Sequence, residues 1–185
     1  MEQRSALLVM DFQTGIVSNY SNASLILGNV AGAIAHARSK NIPVIYVVVG
    51  FRQGMPEVSQ NNMVFAGSKQ RSGGKSNEEA MKVVPQLTPQ EGDIMVVKRR
   101  FSAFTGSDLD VLLRSLDVNH LIMGGVITSG VVLSTAREAA DKDFKVTILS
   151  DCCADGDEEV HNVLLNKVFP RHATVQTSAD WSKQS

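Results

Sequence analysis

Six short runs of apolar residues recur along the chain, and longer stretches with helical spacing separate them. The runs are rich in Val, Ile and Leu and are nearly continuous rather than alternating, which is typical of strands covered on both faces. This pattern predicts a parallel sheet whose strands are joined by crossover helices. The predicted strands cover residues 5–12, 43–50, 93–98, 119–126, 144–151 and 172–177.

The stretches between the strands predict five helices, over residues 25–41, 77–84, 108–117, 131–143 and 158–169. Residues that commonly cap helices stand at or near the start of all five: Asn22 or Ser24, Ser76 or Asn77, Ser107, Ser129 or Gly130, and Asp155 or Asp157. One long segment, residues 51–75, shows neither pattern. Its length and glycines are typical of a functional loop or lid rather than of a domain linker.

The composition fits one compact domain over residues 1–185, with 43% hydrophobic and 20% charged residues. Its 18 basic and 19 acidic residues are interspersed and give a net charge of -1, so no basic field attracts nucleic acid or anionic lipid. No apolar segment approaches the length of a membrane span, and Asp11 interrupts the first apolar run before signal-peptide length. We therefore expect a cytoplasmic protein without nucleic-acid or membrane partners.

Polar residues stand at the carboxyl ends of three predicted strands, where open parallel sheets bind ligands. The first strand ends at Asp11 with Gln13 behind it, and the third ends at Lys98. The fourth leads into a turn, residues 128–130, that places Val131 on the first turn of a helix. An aspartate and a lysine buried at one pocket would couple strongly, so this group is a candidate site.

Several of these residues also have a structural interpretation. Asp11 could cap a turn, and Lys98 could be a solvated cation beside two arginines. Cys152 and Cys153 are adjacent, which disfavours a disulfide between them and fits a reducing compartment; buried packing is their favoured role. The coincidence of aspartate, lysine and turn nevertheless favours a functional site.

Four segments together resemble the isochorismatase-like cysteine hydrolase superfamily: LLVMDFQ, VVKRRFSAF, GGVITSGVVLSTAREA and SDCCADGDEEVHNVLLNKVFPRHATV. They occur in the family's order and at comparable spacing over nearly the whole chain. The resemblance implies a Rossmann-like, three-layer α/β/α sandwich with a mostly parallel six-stranded sheet. It also implies an Asp, Lys and Cys triad, in which the aspartate takes the thiol proton and the thiolate attacks a carbonyl or similar carbon. Asp11 and Lys98 match the first two members.

The chain departs from this pattern at the nucleophile. Where the family reads ThrSerGlyCysVal, this chain has Val131, and valine cannot attack a substrate. Three explanations remain: a cysteine hydrolase whose nucleophile was replaced, a thiol-independent vinyl-ether hydrolase of the isochorismate type with Asp11 as general acid, or a pseudoenzyme. The segment GFRQGMPEVSQNN resembles the small cysteine hydrolases more than the isochorismatases. This favours a hydrolase of small amide or ureido C–N bonds that lacks thiol-dependent turnover.

The resemblance also implies how the backbone contributes. It predicts a cis peptide bond between Val126 and Ile127, with the amides of Ile127 and Val131 as an oxyanion hole. For substrate contacts it points to Phe101 and Phe104, although core packing is the alternative for both. Further candidates are Gln13, Thr128, and Arg52 or Arg99 for an anionic group, with solvated surface arginines as the alternative.

We expect no metal and no other cofactor. The four histidines, His36, His120, His161 and His172, are scattered over helices and strands without ligand spacing, and a structural role is favoured for each. In the superfamily that this chain resembles, nicotinamidases bind a divalent ion through an Asp, His, His cluster, which this chain lacks. The expected partners are a small-molecule substrate and further copies of the chain, as a homodimer or homotetramer.

Overall fold

A six-stranded parallel sheet forms the centre of the molecule. The computed structural model describes residues 3–18, 20, 23–72 and 78–184, apart from the side chain of Glu79. The strands are β1 (Ser5–Met10), β2 (Val44–Val49), β3 (Ile94–Lys98), β4 (His120–Val126), β5 (Lys145–Ala154) and β6 (Thr174–Gln176). They are arranged in the order β3-β2-β1-β4-β5-β6, and every neighbouring pair is parallel. The parallel sheet predicted from the apolar runs is therefore confirmed.

Helices cover both faces of this sheet. They are α1 (Thr14–Val17), α2 (Ala23–Ser39), α3 (Met63–Ser72), α4 (Leu109–Ser115), α5 (Leu133–Asp141), α6 (Glu158–Val163) and α7 (Ser178–Gln184). Alternate residues of β1 point to opposite faces, as the pleat of a strand requires. Ala6, Leu8 and Met10 pack with α4 and α5. Leu7 and Val9 pack with α2 and with Trp181 of α7. Two apolar cores separated by one sheet make the three-layer α/β/α sandwich.

Two predicted segments differ from the structure. Residues 51–75, expected to be irregular, contain helix α3. Asn62 lies directly before this helix, and its side-chain oxygen accepts a hydrogen bond from the amide of Phe65 at 3.1 Å. The prediction of a helix over residues 77–84 was wrong, since the described part, residues 78–84, holds only the 3-10 turn Glu79–Met81. A second 3-10 turn, Pro85–Leu87, follows. Proline disfavours a helical conformation at the residue before it, Val84. The backbone there pairs with the chain after β1 instead, since the amide of Val84 donates to the carbonyl oxygen of Phe12 at 3.0 Å.

The last predicted helix and the fifth strand also change. The helical stretch from residue 158 divides into α6, a π-helical turn Leu164–Val168 and a 3-10 turn Phe169–Arg171. Asp157 caps α6 by accepting a hydrogen bond from the amide of Val160 at 3.1 Å. The candidate caps Asn22, Ser76 and Asn77 lie outside the described residues. Strand β5 continues to Ala154, so both cysteines lie within the strand rather than after it.

The strand order places a ligand crevice beside β1. The chain leaves β1 toward β2 on one side, and β4 lies on the other side, so the connections diverge between β1 and β4. In open parallel sheets ligands bind at such a point, outside the carboxyl ends of the strands. Among the described helices, none is both long and apolar enough to cross a lipid bilayer.

Candidate active site

A buried ion pair occupies the carboxyl end of the sheet. Lys98 Nζ lies 2.9 Å from Asp11 Oδ2, and the two side chains are 2% and 8% exposed. Lys98 belongs to β3 and Asp11 follows β1, so the lysine reaches across the end of β2, which lies between them. Lys98 Nζ also donates to the carbonyl oxygen of Arg100 at 2.9 Å. The lysine is thus fixed by two oxygen partners, one of them charged.

The carboxylate of Asp11 has an unusual environment. Its backbone adopts a left-handed conformation, with φ of 58°, which aspartate tolerates better than most residues. Burial raises the pKa of Asp11 to about 6, against the opposing effects of the Lys98 charge and hydrogen bond. Oδ1 is buried without a hydrogen-bond partner among the described residues. A carboxyl group with a free oxygen and this pKa can both accept and donate a proton near neutral pH.

A cavity of about 340 Å³ opens above this pair. Asp11, Lys98 and Val131 contribute to its lining, so the structure brings together the three residues that the resemblance assigns to the triad positions. Its walls are mostly apolar, and the remaining lining residues are Gly15, Ile16, Tyr20, Val49, Val64, Phe65, Ser68, Arg71, Phe101, Val126, Ile127 and Gly130. The volume suits a small molecule rather than a polymer.

The turn after β4 presents Val131 to this cavity. The peptide bond between Val126 and Ile127 is cis, the conformation expected from the resemblance. A π-helical turn, Thr128–Val132, follows and leads directly into α5. The amide of Ser129 donates to Asp155 Oδ2 at 2.7 Å, and Thr128 Oγ1 lies 2.8 Å from Nδ1 of His161. These contacts hold the turn in place, and Ile127, Gly130 and Val131 line the cavity.

A pair of glycines near the end of β4, before this turn, lets the strand lie close to its neighbours. A Cβ on Gly124 would approach the carbonyl oxygen of Cys152 to 2.8 Å, closer than real Cβ atoms come. A Cβ on Gly125 would lie 3.1 Å from the carbonyl oxygen of Met10. The register between β4 and β5 also shifts between Met123 and Gly125. The two glycines therefore serve close backbone packing.

Of the residues predicted to contact substrate, Phe101 lines the cavity. Gln13 does not: its Oε1 accepts from the amide of Val49 at 2.8 Å, and its Nε2 donates to the carbonyl oxygens of Val49 and Ala80. Its amide is thus used in joining the end of β2 to the chain near residue 80. Thr128 is fully buried against His161 and likewise lies outside the lining.

Phe104 and Arg52 also lie away from this cavity. Phe104 is buried in the core, with its ring centroid 6.0 Å from that of Phe144. Arg52 pairs with Glu57 at 3.2 Å, and Arg99 pairs with the same carboxylate oxygen at 3.2 Å. Both arginines therefore stabilise the loop after β2. The roles that the sequence assigns to these residues in substrate binding stay predictions.

Helix α3 supplies the lining residues that sequence reasoning missed. Val64, Phe65, Ser68 and Arg71 all lie on it, inside the segment expected to be irregular. A usable signal was present, because Asn62 is a favoured N-cap residue placed directly before Met63. Ile16 and Tyr20, from α1 and the segment after it, were missed as well.

Neither cysteine offers a substitute nucleophile at this cavity. Cys152 and Cys153 are free and buried in β5, and Cys153 Sγ donates to the carbonyl oxygen of Leu149 at 3.3 Å. Burial raises the pKa of both thiols, which disfavours the reactive thiolate. Within the described residues, no group of three or more His, Cys, Asp or Glu side chains is placed to hold a metal ion.

Comparison with known proteins identifies the family. The Isochorismatase domain matches residues 5–180, and the chain belongs to the isochorismatase family. It is 29% identical to an uncharacterised isochorismatase family protein, YwoC, of Bacillus subtilis, over 98% of this chain and 94% of YwoC. It is 28% identical to the ureidoacrylate amidohydrolase RutB of Caulobacter vibrioides, over 96% of this chain and 89% of RutB.

A solved structure shows the same architecture over the full length. An isochorismatase family protein from Burkholderia thailandensis superposes with a TM-score of 0.88 at 26% sequence identity. The alignment covers 100% of this chain and 98% of that protein. The three-layer arrangement built above from strand order and core packing is therefore the fold of this family.

Proposed function

We propose that this protein descends from hydrolases of small amide or ureido C–N bonds, and that Val131 stands where their nucleophilic thiol would be. The observation that carries the proposal is the convergence of the buried Asp11–Lys98 pair and Val131 on one open cavity. A binding module whose site had been abandoned would be expected to fill this space with side chains. Here the space above the pair is open and has the size of a small substrate.

The chemistry of such a site follows from its parts. A thiol at position 131 would lose its proton to Asp11 and attack the carbonyl carbon of the substrate. The amides of Ile127 and Val131 would stabilise the negative oxygen of the tetrahedral intermediate, and Asp11 would return the proton to the departing nitrogen. Water, losing a proton to Asp11, would then cleave the resulting thioester, which releases the acid and restores the thiol. Lys98 would keep the aspartate in place. Valine offers no atom for the first step, so the protein as it stands carries no thiol-dependent turnover.

The amidohydrolase RutB supports the choice of substrate class. Its name states that it acts on ureidoacrylate, which contains a ureido C–N bond, and it aligns with this chain over nearly the whole length of both. The apolar walls, with Phe65 and Phe101 in contact at a centroid distance of 5.1 Å, suit a flat and small substrate of this kind.

A panel of small amides and ureido acids tests the proposal. The wild type, Val131→Cys, and Val131→Cys combined with Asp11→Asn are compared for release of ammonia or amine. We expect release by Val131→Cys alone, because the aspartate is needed to accept the thiol proton. Turnover by the wild type at a similar rate would contradict the proposed role of position 131. If none of the three proteins hydrolyses any compound of the panel, a pseudoenzyme would be favoured.

A second function is favoured by one observation, the raised pKa of Asp11. With a pKa of about 6, about one in ten Asp11 carboxyl groups is protonated at pH 7. Such a group can act as a general acid toward a vinyl ether, which needs no thiol. Incubation of the wild type and of Asp11→Asn with isochorismate tests this function. Hydrolysis by the wild type that Asp11→Asn lacks would establish it and displace the first proposal.

A further inference from the structure

The cavity carries an unbalanced positive charge. Within the described chain, its charged lining residues are Asp11, Lys98 and Arg71. Asp11 and Lys98 pair with each other at 2.9 Å and together contribute no net charge when both are ionised. Arg71 is the remaining charge. It lies on the last turn of α3, and its side chain is exposed at the cavity.

The guanidinium of Arg71 has one described partner, which is neutral. Its Nη2 donates to Ser68 Oγ at 3.2 Å, and its Nη1 lies over Gly67, where a Cβ would be only 3.3 Å away. The side chain therefore folds back along α3 toward Ser68, which also lines the cavity. A guanidinium carries five N–H donors, so most of them stay available to a ligand.

The other arginines near the cavity are engaged. Arg52 and Arg99 share one oxygen of Glu57, each at 3.2 Å. Arg100 donates to the carbonyl oxygen of Glu57 at 2.6 Å. These three arginines hold the loop after β2 against the end of β3. Arg71 differs from them, because its described contacts include no carboxylate and no backbone carbonyl.

We infer that Arg71 recognises an anionic group of the substrate, and that the natural ligand is a small carboxylic acid whose reacting C–N bond lies toward Asp11. This inference rests on the proposed function, which it extends by naming the charge of the substrate. A guanidinium and a carboxylate form two parallel hydrogen bonds, which orient as well as attract. Val64 and Phe65 of α3 flank this position and suit the uncharged body of such a molecule.

Equilibrium binding to the unreactive wild type measures the preference directly. The two ligands are N-carbamoylglycine and its neutral amide, N-carbamoylglycinamide, and their affinities are determined by calorimetry. We expect the acid to bind about tenfold more tightly than the amide, as one charge-assisted contact predicts. In Arg71→Gln this preference falls to about twofold or less, and Arg71→Lys retains part of it.

Arg114→Gln is the matched control. Arg114 is also an exposed helical arginine, but it pairs with Asp110 on α4 and lies outside the cavity lining. The control keeps the wild-type preference for the acid. Arg52→Gln is measured too, because a loss of the preference in this variant with full retention in Arg71→Gln would overturn the assignment.

The outcomes separate this inference from the proposed function. Equal binding of acid and amide by the wild type, or no binding of the acid, would overturn the anionic substrate class. The same holds for a preference that Arg71→Gln leaves unchanged. Hydrolysis of neutral amides by Val131→Cys would at the same time support the proposed function. The proposed function itself would fail if Val131→Cys hydrolysed no compound of the whole panel.

Discussion

Lys98 Nζ lies 2.9 Å from Asp11 Oδ2, although Lys98 ends β3, Asp11 follows β1, and β2 lies between these two strands. The contact closes the end of β2 and ties three strands together beneath the cavity. The ion pair that would position the carboxylate in the proposed mechanism is therefore also part of the fold. Changes in it affect stability and chemistry in different ways, and these can be measured separately.

Loss of the lysine should destabilise the protein. Lys98→Met leaves the buried carboxylate of Asp11 without its charged partner, and we expect a loss of about 3 kcal/mol in the free energy of unfolding at pH 7. The double variant Lys98→Met, Asp11→Asn should recover part of this loss, because no uncompensated charge remains. Urea denaturation measures all three proteins. Lys145→Met, a change at an exposed strand lysine, is the control and should shift the value by less than about 0.5 kcal/mol.

The stability of the wild type should fall as the pH rises through the pKa of Asp11. Burial raises this pKa from 3.8 to about 6, so the folded protein binds the proton more tightly than the unfolded chain. The stabilisation that comes from protonated Asp11 is fully present below about pH 4 and is lost as the pH rises through 6. The free energy of unfolding should fall by about 3 kcal/mol over this range. Asp11→Asn cannot ionise and should lack this loss. An identical pH profile of unfolding free energy in both proteins would show that Asp11 has an ordinary pKa.

Gln13 should matter for stability rather than for ligand affinity. Gln13→Met keeps the bulk but removes the acceptor for the amide of Val49 and the donor to the carbonyl oxygens of Val49 and Ala80. We expect a loss of about 2 kcal/mol in the free energy of unfolding, since buried backbone groups lose their partners. Gln86→Met, at an exposed glutamine, is the control. A variant that keeps full stability but binds ligand more weakly would restore the substrate-binding role predicted from the sequence.

The close packing of β4 against β5 should make Gly124 intolerant of a methyl group. Gly124→Ala places its Cβ 2.8 Å from the carbonyl oxygen of Cys152, and backbone cannot move away cheaply. We expect a loss of at least about 2 kcal/mol. Gly32→Ala is the opposite case, because Gly32 lies in α2 with no atom near its Cβ position. There we expect a gain of about 1 kcal/mol from helix propensity, and thermal unfolding of both variants distinguishes the signs.

Much of the fold follows from the sequence because strands buried on both faces must be continuously apolar. The proximity of Asp11 and Lys98 is predictable from the sequence, since the carboxyl ends of parallel strands lie at one edge of the sheet. Helix α3 is only weakly indicated by the sequence: Asn62 is a suitable cap, but the helix is polar and contains a glycine, and Phe65 packs against Phe51 from outside the helix. The role of Gln13 depends on its contact with the chain near residue 80, which is distant in sequence and becomes close only in the fold. Assembly into a homodimer or homotetramer stays a prediction.

The central claim is that position 131 is the nucleophile position of a retained hydrolase site, and a pair of cysteine variants tests it most directly. Val131→Cys places a thiol in the cavity, whereas Val132→Cys places one at the next residue, which is fully buried and outside the lining. The measurement is kcat/KM for ammonia release from N-carbamoylglycine at neutral pH. The account predicts a gain of roughly 1,000-fold over the wild type for Val131→Cys and none for Val132→Cys. Equal activity of the two variants would contradict this account. Hydrolysis by the wild type together with no hydrolysis by Val131→Cys would also contradict it.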